Sequence, residues 1–250
     1  MLILFASLNA FSSAYTQSDF FGKVLMWGLF GLSVLCWIVL CYKIWQAKKV
    51  KGFSLAFYHL IEQNKHRILH LEPTDIGHVV PRYIPHPFAK IYFVLKEKTF
   101  ETLNKKIYFL KQNQQGQEDV HLTTNDLDVL EQHASITLSS EYKRLEKHLF
   151  VLSTIVTLAP FLGLLGTVWG ILVTFAELHS GGAAGSNAAI LGGLSTALAT
   201  TVLGLVIAIP ALISYNYLKN NLKAYSSDME NFLAKLLSIL ELQYRKVEID

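Results

Sequence analysis

The sequence predicts an all-α integral membrane protein: three transmembrane helices with long cytoplasmic helical extensions, the N-terminus outward and the C-terminus cytoplasmic. Composition is the first of three observations behind this, since 52% of the 250 residues are hydrophobic and only 16% charged. The second is segregation. No Asp, Glu, Lys or Arg lies between Val24 and Tyr42, and residues 149–218 hold only Glu177. A soluble helix places charge on its wet face every few residues, whereas a hydrocarbon core of about 30 Å demands about 20 uncharged residues. The third is the grouping of basic residues at one end of each apolar run. Together these exclude a globular cytosolic enzyme.

In the N-terminal segment, residues 1–19, the stretch 1–17 is apolar and rich in small residues but has no Lys/Arg-rich start, so it reads as a helix lying on the membrane surface rather than a cleaved signal. The first span is assigned to residues 20–42, with Trp27, Trp37 and Tyr42 available as interfacial anchors. Its charge-free part covers about 28 Å at the helical rise. Residues 43–148 hold most of the chain's charges and read as a water-facing helical region. Within it Phe53, Phe57, Leu60, Ile61, Ile68 and Leu71 recur at helical spacing, as do Phe88, Ile91, Tyr92, Leu95, Leu103, Ile107 and Leu110. Pro81, Pro85 and Pro87 separate the two runs. A polar stretch at 112–119 reads as a loop, and Thr123, Thr124, Asn125 and Asp126 offer caps for a helix that meets no Pro or Gly before Pro160. That helix is expected to run unbroken into the second span, residues 149–178, whose uncharged core of about 42 Å must tilt or protrude. Residues 179–187, HSGGAAGSN, form an outward turn. The third span, residues 188–217, is capped by Asn187. In residues 218–250 the stripe Leu222, Tyr225, Met229, Phe232, Leu236, Ile239 and Gln243 carries it on as a cytoplasmic helix, and the two long helices are expected to bury their stripes against each other.

Orientation follows from the cations. Lys43, Lys48, Lys49 and Lys51 follow span one, Lys143, Arg144 and Lys147 precede span two, and Lys219 and Lys223 follow span three, so these ends are cytoplasmic. The net charge of +3 is too small and scattered for a nucleic-acid partner. Cys36 and Cys41 lie five apart in an apolar helix, which gives no disulfide, zinc or redox motif.

No residue set supports catalysis, because HExxH, GxSxG and phosphate-loop patterns are missing and the nine histidines are dispersed. Neither a metal nor a cofactor is expected. Gly163, Gly166 and Gly170 in span two and Gly204 with Ala208 in span three mark seams where backbones approach closely. Thr167, with Ser195, Thr196, Thr200 and Thr201 in span three, admits two readings: hydrogen bonding between or within helices, or a hydroxyl-lined path for water or protons. Thr196 and Thr200 share a face, with Thr201 beside it. Glu177 also admits two, an interfacial carboxylate reaching water or an outer proton entrance.

The strings LAPFLGLLGTVWGILVTF (158–175) and ALATTVLGLVIAIPALISYN (197–216) closely resemble the TolQ/ExbB/MotA family of proton-channel stator subunits, and GLLGTVWG is most like its TolQ branch. The resemblance implies a homopentamer in the bacterial inner membrane around a dimer of a single-span TolR/ExbD-like protein. Protons pass by that partner's membrane Asp, and a TolA/TonB-like periplasm-spanning protein is a further partner. It implies a motor rather than an enzyme, with residues 1–19 and 179–187 periplasmic. Thr167 and Thr201 fall on the family's pore-facing threonines, and Pro160 and Pro210 on its prolines, which end or bend a helix ladder. Thr196 stands where many members carry a Glu, so either the partner's carboxylate acts alone, or a hydroxyl and water replace the Glu, or conduction is poor. The rival class is a non-conducting membrane scaffold.

Overall fold

The computed structural model describes residues 15–16, 18–71, 86–112, 121–179 and 187–244, apart from the side chains of 66, 67, 70, 110, 177 and 187–189. The expected polar loop at 112–119, the proline break at Pro81 and Pro85, the 179–187 turn and both chain ends fall largely outside the described residues. Among the described residues the fold is helical: α1 (Phe20–Gln63), a short 3-10 turn (Lys65–His70), α2 (Pro87–Gln112), α3 (Thr124–Glu146), α4 (Leu149–His179) and α5 (Asn187–Tyr244). Outside the helices Leu122 makes one isolated bridge, its N–H donating to the Tyr244 carbonyl at 2.8 Å. Three of the helices, α1, α4 and α5, are long and apolar enough to cross a membrane.

Local chemistry sets the helix ends. Asp19 accepts the Gly22 N–H at 2.9 Å and caps α1. Asn64 closes it by donating its side-chain amide to the Leu60 carbonyl at 2.9 Å. Pro87 opens α2, where its fixed φ and missing N–H cost nothing. Thr123 and Asp126 form a reciprocal capping box at α3.

The helix expected to run unbroken into the second span is instead two helices. Lys147 is extended (φ −48°, ψ 135°) and His148 is left-handed (φ 75°), so the ladder ends at Glu146 and restarts at Leu149. No Pro or Gly forces this. The Lys147 N–H still bonds the Lys143 carbonyl at 3.0 Å, and the Val151 N–H bonds the His148 carbonyl at 3.2 Å, so the turn is closed by its own backbone. By contrast α4 continues across Pro160 and α5 across Pro210, neither proline ending its helix.

The chain divides into two compact units, residues 1–43 with 148–218 and residues 44–147 with 219–250, so α1 and α5 contribute to both. In the first, small and branched residues are buried, among them Leu29, Leu152, Ile155, Ala159, Ala197 and Ala211, while Phe30, Trp37, Ile38, Phe161, Leu172, Phe175, Leu198 and Ile213 are exposed. An apolar exterior over an equally apolar interior suits hydrocarbon, not water.

The second unit buries its own apolar core. Phe57 of α1, Phe88 and Tyr92 of α2 and Phe232 of α5 form its aromatic centre, with Phe88 and Phe232 stacked at 4.5 Å and 12°. Tyr225, Met229, Phe232 and Leu236 bury the α5 stripe, and Leu130 and Ala134 add α3. α1 and α2 therefore join the packing expected between α3 and α5. Two polar pairs cross between helices in it: Ser54 with the Tyr225 hydroxyl at 2.6 Å, and Lys90 with the buried Glu141 at 2.5 Å. The Tyr92 hydroxyl donates to the Ile68 carbonyl at 2.5 Å, and Lys235 bonds Glu62.

Candidate functional site

Within the first unit α4 and α5 lie antiparallel along a seam of small residues. A Cβ added at Gly204 would sit 2.5 Å from the Ala159 carbonyl oxygen, one at Gly163 3.0 Å from both the Thr200 oxygen and the Thr201 Cα, and one at Gly170 2.8 Å from the Ala197 Cβ. At Gly166 the added atom would run into the Thr200 side chain. Moving along α4 from Ala159 to Gly170 thus means moving back along α5 from Gly204 to Ala197. The two backbones touch because these residues have nothing larger to interpose.

The close approach brings hydroxyls to carbonyls across the seam. Thr201 donates to the Gly163 carbonyl at 3.0 Å, with the Thr167 hydroxyl 3.4 Å away. Thr200 is buried, bonds the Ala197 carbonyl at 2.7 Å and lies 3.3 Å from the same Gly163 oxygen. Thr167 is half-buried and donates to the Leu164 carbonyl at 2.7 Å. So Thr167, Thr200 and Thr201 converge on one turn of α4. Thr196 lies one turn away on α5, buried, its hydroxyl donating to the Gly192 carbonyl at 3.0 Å. Ser195 is exposed, as is Pro210, while Pro160 is half-buried. Glu177 lies near the end of α4, and its side chain is outside the described residues.

A hydroxyl carries one proton and two lone pairs. Thr167 and Thr201, both half-buried, each present lone pairs beside a proton that rotation can redirect, so this layer accepts from water or a protonated carboxylic acid and can turn a proton toward a carboxylate.

Two features lie beyond the sequence reading. Thr174 is buried, donates to the Gly170 carbonyl at 2.8 Å, and its hydroxyl would meet any Cβ at Gly193, which continues the seam by another turn. Asp19, besides capping α1, accepts the Trp169 indole N–H at 2.8 Å, while Phe21 packs on that ring at 4.4 Å, pinning the start of α1 to α4. A polar residue just before an apolar run is a cap signal, so half of the Asp19 role was readable; its partner 150 residues away was not.

The profile of the MotA/TolQ/ExbB proton channel family matches residues 102–231, more than half of the chain, and takes in both helices of the seam. The chain belongs to this family. Among curated MotA/TolQ/ExbB relatives, the Tol-Pal system protein TolQ of Haemophilus influenzae is 35% identical over 109 residues, 44% of this chain and 47% of that protein. The biopolymer transport protein ExbB of Aquifex aeolicus is 42% identical over 88 residues, 35% of this chain and 59% of that one. ExbB of Helicobacter pylori is 49% identical over 74 residues, 30% and 50% of the respective chains. The chain spans about half the length of the curated relatives it matches. With three helices long and apolar enough to cross a membrane, it is a TolQ/ExbB-like membrane protein.

Proposed function

We propose that the chain is the stator subunit of a proton-motive-force-driven motor in the bacterial inner membrane. Five copies surround a dimer of a single-span TolR/ExbD-like protein and couple proton flow to its motion, for envelope maintenance or transport through a TolA/TonB-like protein. The observation that supports this most directly is the hydroxyl layer, where Thr201 bonds the Gly163 carbonyl at 3.0 Å and stands 3.4 Å from the Thr167 hydroxyl. A partner carboxyl docks here when protonated, gaining about 1 kcal/mol per hydrogen bond. Once it loses the proton, the anion can be met only by hydroxyls that turn away from their carbonyls and by the apolar surroundings, so remaining there becomes costly. Protonation thereby sets whether the partner's helix is held or released. Each proton crossing 100 mV supplies about 2.3 kcal/mol, enough to break one or two such contacts. In this reading Thr196 and Thr200 line the same path and Glu177 marks its outer entrance.

The test is proton flux in vesicles holding the chain with its partner. Thr167→Val keeps the shape and deletes the acceptor, so flux falls at least about tenfold while the complex still assembles; Thr167→Ser restores it. Full flux in Thr167→Val overturns the role.

One observation favours a non-conducting scaffold: every hydroxyl of the seam already has a carbonyl partner, and Thr196, at the family's Glu position, bonds its own helix. Absence of flux from an intact wild-type complex would establish that reading.

A further inference from the structure

The second unit carries an exposed set of cations whose level along three helices is fixed by three interactions. Ser54 of α1 meets Tyr225 of α5 at 2.6 Å, Phe88 of α2 stacks on that phenol at 5.7 Å, and Lys90, two residues further on α2, holds Glu141 of α3 at 2.5 Å, so residues 54, 141 and 225 lie near one level. Toward the apolar span along each helix, the cations follow at matched distances. On α1 Lys51 and Lys48 lie about 4.5 and 9 Å from that level, on α3 Lys143 and Lys147 about 3 and 9 Å, and on α5 Lys223 and Lys219 about 3 and 9 Å, at 1.5 Å per residue. Lys49 and Arg144 fall within the same layer. All eight are exposed, and Glu146 is the one acidic residue in the three intervals 48–53, 142–147 and 219–224. The layer also holds an aromatic marker just beyond it, as Trp45 is exposed with the Lys49 ammonium over its ring at 4.1 Å.

Eight cations fall within about 6 Å along the helix axes, next in sequence to three apolar spans. We infer that this collar is a binding surface for anionic lipid headgroups, phosphodiester-bearing lipids of the phosphatidylglycerol type in the adjoining leaflet. The chemistry fits in three respects. Seven lysine ammoniums and the Arg144 guanidinium, against Glu146 among them and Glu141 3.9 Å from Arg144, leave a strong positive local field, the headgroup phosphate is the nearest dense source of negative charge to the end of an apolar span, and the cations come from three helices, so a headgroup meets donors from more than one helix. Bound lipid then draws α1, α3 and α5 together at this level by neutralising cations that otherwise repel one another. This inference rests on the membrane assignment of the three apolar helices and not on proton conduction.

Trp45 reads the collar directly. The full chain, reconstituted in phosphatidylcholine vesicles, is compared with its Trp45→Phe variant to isolate the Trp45 emission, and equal mole fractions of brominated phosphatidylglycerol or brominated phosphatidylcholine are added as quenchers. The anionic quencher is expected at about fivefold its bulk mole fraction around Trp45. The preference falls toward unity in Lys48→Gln/Lys49→Gln/Lys51→Gln and, independently, in Lys219→Gln/Lys223→Gln, which leaves the Trp45 stack untouched. Equal quenching by the two lipids, as expected if the collar instead docks an acidic protein, overturns the proposal; so does a preference that survives both variants. Thr167→Val leaves the preference unchanged, which separates this outcome from that of the proton-path test.

Discussion

If Gly204 is glycine because two backbones meet there, then Gly204→Ala must push α4 and α5 apart. The added Cβ would lie 2.5 Å from the Ala159 carbonyl oxygen, an atom held by its own helix. Carbon and oxygen settle at about 3.3 Å or more, so the helices separate by about 0.8 Å. That gap forfeits a quarter to a half of the dispersion along the seam. It also lengthens the Thr201 to Gly163 bond from 3.0 Å to about 3.8 Å, beyond a hydrogen bond. Overpacking of this kind costs about 1–3 kcal/mol. Alanine regains up to about 1 kcal/mol of helix propensity, which confuses a single variant. Gly31→Ala supplies the control: a Cβ there meets nothing within 4 Å, so it gains the same propensity without the clash. Thermal melting in detergent should therefore place Gly204→Ala below wild type and Gly31→Ala at or above it, the two differing by about 1–3 kcal/mol. Equal shifts in the same direction would refute the reasoning about the seam.

Glu62 of α1 is held ionised by hydrogen bonds from Lys235 and then Lys65, which bring its pKa down to about 2 from 4.5. A depressed folded-state pKa stabilises above the unfolded value, so this contribution is intact above about pH 4.5 and lost as pH falls toward 2; melting temperatures of Glu62→Gln should fall less steeply over that window than those of wild type. His148→Val, placing a β-branched residue at φ 75°, should lower stability by about 1–2 kcal/mol, whereas His148→Gly should not, as read by chemical denaturation. Lys90→Met strands the buried Glu141 carboxylate, with Arg144 3.9 Å away as its remaining partner, and should cost about 2–4 kcal/mol; adding Glu141→Leu should recover much of that in a double-mutant cycle.

Helical class and three long apolar stretches were legible because charge segregation over tens of residues has one physical cause. The capping box at Thr123 and Asp126 was legible because capping is local. The break at Lys147 and His148 was not, since neither residue is a helix breaker and only the finished backbone shows the left-handed turn. The α1 and α2 contribution to the second core was half legible: the stripes at Phe57 and Tyr92 could be counted, but a pairing such as Ser54 with Tyr225, 171 residues apart, leaves no mark on spacing. At the candidate site, glycine and threonine positions could be picked from their residue type. Which hydroxyls turn onto their own helix and which cross to the other depends on rotamers, and Thr196 and Thr201 look alike in sequence while bonding Gly192 and Gly163 respectively.

Over the three turns from Gly163 to Thr174 the helix contact is made of glycine, alanine and threonine. Such a face is shallow but not smooth: Thr200 sits in the notch left by Gly166 and Thr174 in that left by Gly193, so each glycine is a socket for the helix opposite. Sliding one helix along the other means lifting those side chains out of their sockets, and the hydroxyl bonds, each worth about 0.6 kcal/mol, only trim a register that the sockets already set.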